Sequence, residues 1–136
     1  MTTQDPSING LYERTDPPGP FDTPLIETCE AAMAKPLSQL TSADMQALLS
    51  QGIAPEHIVP RALRALALNP LMEARHYPGD LFDALLTLPA PFWADNTNLW
   101  TETSHLLANL DSAYAQATRG REAFLHAPFT PAEGAS

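Results

Sequence analysis

Cysteine is nearly absent: Cys29 is the only one in 136 residues. A lone cysteine closes no internal disulfide, so burial of apolar surface has to hold the fold, as suits a reducing cytosol. Cations are scarce too. Seven Lys and Arg face sixteen Asp and Glu, a formal net charge of −9. That excludes a surface built to grip a nucleic-acid backbone, which needs clustered Lys and Arg. No apolar run approaches the ~20 residues of a membrane-spanning helix. The N-terminus, MTTQDPSING, has neither the basic region nor the apolar stretch of a secretory leader. The six glycines are scattered and form no phosphate-cradling loop. Strict apolar–polar alternation is missing and β-branched residues are few, so strands are not expected. A soluble, cytoplasmic, all-α protein is left.

Ala and Leu dominate what is there, and 14 prolines punctuate them. A chain this long makes one domain and buries roughly two-thirds of its unfolded surface, enough for a self-sufficient core. The pattern predicts a compact bundle of four to six helices, several of them short. Residues 1–22, rich in Pro, Asp and Gly, read as an extended or mobile N-terminal segment that Ile8, Leu11, Tyr12 and Phe21 can pin. Residues 23–120 read as the helical domain and 121–136 as a tail. Thr23 caps a helix over 24–34, with Pro24 at its first position. Thr41 and Asp44 are spaced as a capping box for a helix over 42–51, and Gly52 supplies a left-handed exit. Pro60 predicts a bend ahead of an apolar helix over 60–68, read as the centre of the core. The last helix spans 97–118, with a stripe of Leu99, Thr103, Leu106, Leu110, Ala113 and Ala117.

The most chemically crowded stretch is HYPGDLFD, residues 76–83. Backbone roles account for it. Pro78-Gly79 makes a turn, Asp80 is placed to cap a helix beginning at Leu81, and Asp83 lies in the first turn, where the helix dipole favours an acid. Elsewhere, Glu102 and His105 have the Glu-x-x-His spacing of helical di-iron sites, but those need a second pair and two further Glu. The four histidines are isolated from one another and make no zinc set. No nucleophile lies in a strained elbow or a Cys–His pairing. Catalytic residues, metal ligands and cofactors are therefore expected to be none.

The acidity is uneven. Residues 1–34 hold six acids and one Arg; 35–75 hold three acids and four bases; 76–118 hold five acids and no Lys or Arg; 119–136 hold two of each. Net negative charge alone serves solubility, but clustered charge also steers a basic partner. The exposed acids expected in the third block are Asp83, Asp95, Glu102 and Asp111, with Trp93 or Trp100 as an anchor.

KPLSQLT with Asp44, then LLSQGI, VPRAL, NPL, YPGDL and FW follow one another between residues 35 and 93. In that order and at these spacings they resemble an immunity protein family of bacterial contact-dependent growth inhibition (CDI) systems. Thr41, Asp44, Pro60, Pro78, Gly79 and Asp80 are matched positions, and their residue types are structural. The resemblance implies a protein without activity of its own. It would bind, one to one, the C-terminal toxin domain of a neighbour's large surface effector, commonly a nuclease, blocking or lying beside its active site. No membrane or direct nucleic-acid contact is implied. The alternative is a non-enzymatic helical adaptor for another basic protein or peptide.

Overall fold

The computed structural model describes residues 5–13 and 23–128; the rest of the expected N-terminal segment, Phe21 included, and residues 129–136 of the tail lie outside them. Eight α-helices occur among the described residues: α1 (Ile8–Leu11), α2 (Pro24–Ala34), α3 (Ser42–Ser50), α4 (Pro55–Leu68), α5 (Asp80–Leu86), α6 (Ala90–Asp95), α7 (Thr97–Ala117) and α8 (Arg121–Leu125). A 3₁₀ turn, Leu37–Gln39, joins α2 to α3. Among the described residues, extended pairing outside the helices is limited to two isolated bridges, Ser7 with Pro36 and Glu73 with Pro78. The fold is all-α, as expected. Its extra elements are the single turns α1, α6 and α8, too short to carry an apolar period of their own.

Local chemistry sets the helix ends. The Thr23 hydroxyl accepts the Ile26 amide and Pro24 opens α2. At α3 the capping box is complete: Thr41 Oγ1 accepts the Asp44 amide at 3.1 Å, and Asp44 Oδ2 accepts the Thr41 amide at 3.0 Å. At its other end Gly52 turns left-handed with φ +67°. Its amide donates to Leu49 O and that of Ile53 to Leu48 O, so two otherwise orphaned carbonyls are satisfied in a Schellman arrangement.

The centre of the core is α3 rather than α4. Six consecutive residues, Asp44–Leu49, are buried, because α2, α4 and α5 all pack around this helix. α4 buries only a stripe, Ile58, Val59, Ala62, Leu63 and Leu66. It is also one helix from Pro55 through Pro60 to Leu68, where a bent segment with its longer part from Pro60 was expected. The amide that Pro60 lacks would have served the carbonyl of Glu56, an exposed residue of the first turn, so the missing bond costs less there than it would in the core. Burial of Ile58, Val59 and Leu66, about 1.5–3 kcal/mol per side chain, favours continuation.

The chain before α2 contributes to the core. Ile8 is 1% exposed. Leu37 donates its amide to Pro6 O, Asp5 accepts the Ser38 amide and hydroxyl, and the Tyr12 hydroxyl donates to Glu56 of α4.

Candidate functional site

Asp80 has a role the sequence reading misplaced. It is the first residue of α5 rather than its cap; Gly79, left-handed at φ +89°, occupies the capping position. The Asp80 side chain turns back into the preceding loop. Its carboxylate accepts the amides of Ala74 at 2.7 Å, Arg75 at 2.8 Å and His76 at 2.9 Å. Burial pushes this carboxyl up, but the amides of Ala74, His76 and Arg75 outweigh it and hold it below the ordinary carboxylate range. All of its capacity is spent on the backbone. Asp83 points outward and accepts the Tyr77 hydroxyl at 2.7 Å. HYPGDLFD is thus a folded corner.

Among the described residues no cluster of three or more His, Cys, Asp or Glu is placed to hold a metal ion. Glu102 and His105 line a groove between α4 and α7 together with Arg64 and Asn109. Cys29 is buried in α2, and burial raises its thiol above the ordinary range.

The residues selected for partner binding divide on the structure. Asp83, Asp95, Glu102 and Asp111 are all exposed. Trp93 and Trp100 both line a groove of about 260 Å³ whose other walls include Leu86 of α5 and Thr103 and Leu107 of α7. Trp93 is held from within. Its indole N–H donates to Leu88 O at 3.2 Å and its ring meets Phe92 edge-on at 5.0 Å. Trp100 is 55% exposed and free to contact a partner. Asp83 precedes Leu86 by one turn of α5, Asp111 follows Leu107 by one turn of α7, and Asp95 ends the helix that carries Trp93. Asp83 and Asp111 thus lie one turn from walls of the tryptophan groove, and Asp95, two positions from Trp93, lies at the end of α6 without lining it. Glu102, two positions from Trp100, turns toward Arg64 on the opposite flank of α7.

Leu86 and Leu107, which sequence reasoning did not single out for binding, are 44% and 36% exposed and serve as groove walls. The available signal was position: each lies at the edge of its helix's apolar stripe, on the side that α6 reaches.

An aromatic anchor, apolar walls and an acidic rim without cations suit a protein-binding module that takes a basic partner. A family model for CDI immunity proteins matches residues 11–103. The chain belongs to this family of immunity proteins, whose partners are CDI toxins. No curated protein and no solved structure matches the chain. The match runs from α1 to Thr103 in α7; the rest of α7 and α8 lie beyond it. No helix of the described residues is long and apolar enough to cross a membrane.

Proposed function

We propose that this protein neutralises its cognate toxin domain, a nuclease, by seating the α5–α6–α7 face in the toxin's substrate cleft in the cytoplasm, one to one and without chemistry of its own. A nuclease cleft is lined with cations that hold phosphates. A rim of Asp83, Asp95 and Asp111 takes the place of those phosphates, and Trp100 supplies the apolar anchor. The observation that carries the reading is the half-exposed Trp100 over a groove inside a block, residues 76–118, that has no Lys or Arg. Opposed fields speed encounter and fix register, while a buried aromatic anchor supplies most of the affinity.

Co-expression with the toxin domain encoded immediately upstream tests it. Growth rescue and a stable one-to-one complex are expected, with affinity falling as salt rises. Replacing Asp83, Asp95 and Asp111 together by Lys is expected to abolish rescue while the fold survives. Full protection by that triple variant, with an unchanged salt slope, would remove this face from the interface. A complex that leaves the toxin's catalytic rate on a small substrate intact would rule out occlusion of the cleft.

A further inference from the structure

The stripe of α7 outruns the body it packs on. Leu99 and Thr103 are buried and Leu106 and Leu110 half-buried, but Ala113 and Ala117, at the same three-four spacing, are exposed. Around them the apolar surface widens. Leu110, Asp111, Ala113, Tyr114 and Ala117 line one groove with Leu71 from the α4–α5 connection, a space of about 470 Å³ with a single acid at its edge. Tyr114 is 59% exposed, Leu71 54% and Leu68, three residues before Leu71, 89%.

We propose that this half of α7 pairs with the same half of a second copy, antiparallel about a two-fold axis. A two-fold contact must be self-complementary, and this stripe is. With the axis between Ala113 and Tyr114, Leu110 of each copy faces Ala117 of the other, and Tyr114 faces Ala113. Every facing pair sets one large residue against one small, so side chains interdigitate and the helix axes approach closely. Asp111 falls opposite Gln116, so no like charges are opposed across the pair.

Charge points to the same occupant. A chain of net −9 repels its own copies over most of its surface. Residues 104–128, like 35–75, are close to balance: Asp111 and Glu122 are offset by Arg119 and Arg121. A cationic toxin cleft gains little from this neutral stripe and much from the acidic face around Trp100. The contact uses later turns of α7 and leaves the Trp100 groove itself open; the two surfaces share only Asp111, at the edge of both.

The test uses the full chain without toxin. Sedimentation across a concentration series into the high micromolar range is expected to show the mass rising from one chain to two. Ala113→Glu, at an exposed position, is expected to stay monomeric with an unchanged circular dichroism melt. Ala113→Tyr opposes Tyr to Tyr and is expected to weaken association about tenfold or more. The exchange variant Ala113→Tyr with Tyr114→Ala restores large against small and is expected to recover the dimer. A wild-type mass of one chain at every concentration overturns the inference, as does a dimer that Ala113→Glu leaves intact. Protection of residues 113–117 from hydrogen exchange only in the toxin complex would make the stripe a toxin contact and equally overturn it. Growth rescue is scored separately, so loss of the dimer and loss of immunity are distinguishable.

Discussion

Lys35 and Asp44 meet at 2.7 Å across the turn between α2 and α3. The same carboxylate oxygen, Oδ2, also accepts the Thr41 amide that closes the capping box. One atom thus ties the end of one helix to the start of the next. Asp44 is buried in this role, whereas Lys35 keeps much of its contact with water.

The two partners are therefore expected to differ in cost. Asp44→Ala removes the reciprocal cap and strands the ammonium, and should lower stability by about 1–2 kcal/mol. Lys35→Met leaves the capping box intact and removes a partly solvated ion pair, for a loss below about 1 kcal/mol. Urea unfolding of the two variants checks the order. Equal losses would mean that the ion pair, not the cap, dominates.

Asp80→Ala should cost more than a lost helix cap, which is worth about 1 kcal/mol. Three loop amides lose a charged acceptor inside the protein, and the expected loss is about 3 kcal/mol or more. Asp80→Asn keeps the shape but turns one acceptor oxygen into a donor facing amides, so it should rescue little. A loss near 1 kcal/mol in either variant would contradict the arrangement described here.

Stability should fall on the acid side. Asp44 and Asp80 both titrate below the ordinary carboxylate range when folded. At Asp44 burial works against this and the Lys35 and Thr41 hydrogen bonds prevail; at Asp80 the loop amides prevail. The unfolded chain, with Asp near 3.9, therefore binds more protons, and stability rises with pH. The contribution is complete above about pH 5 and is lost as pH drops through the folded values. Asp80→Asn is expected to flatten the acid limb of a stability–pH curve measured from pH 6 downward. A limb of unchanged slope would sink the assignment.

The two tryptophans should separate stability from binding. Trp100→Ala, at a half-exposed position, is expected to leave the melting temperature within a few degrees and to weaken toxin binding by about 30-fold or more. Trp93→Ala removes a ring packed on the core and bonded to Leu88 O, so it should lower stability by about 2 kcal/mol or more. Titration calorimetry beside thermal melts reads both. Normal affinity in Trp100→Ala would displace the anchor from this face.

Charge reversal on α7 offers an internal comparison. Asp111→Lys, on the Trp100 flank, should slow association and flatten its salt dependence. Glu102→Lys, on the Arg64 flank, should do neither, although both variants change net charge equally. Equal effects would show that net charge matters and position does not.

Helix ends were legible in the sequence wherever a side chain or glycine carries the instruction within a few residues: Thr23 and Pro24, Thr41 and Asp44, Gly52. What depends on neighbours distant in the chain was not. Nothing local to Asp80 says that its carboxylate turns back to residues 74–76 instead of capping α5. Pro60 carries a genuine helix-breaking preference, overridden by the packing of α4 against α3, α5 and α7. The acids of the third block were legible as a group because charge can be counted. Their division into a Trp100 flank and an Arg64 flank required the rotation of α7 against α4 and α6.

The three amides gathered by Asp80 have a further consequence for the connection between α4 and α5. Residues 74–76 look like a loop, yet their N–H groups are locked to the first residue of a helix, and Gly79 donates to Met72 O behind them. Opening this corner means dissolving the start of α5, so these amides should exchange with deuterium at rates typical of the core. The connection then has no soft joint at which α5 can swing against α4. The wall that Leu86 contributes beside Trp100 would then be in place before the proposed toxin contact forms, leaving little ordering entropy to lose on binding.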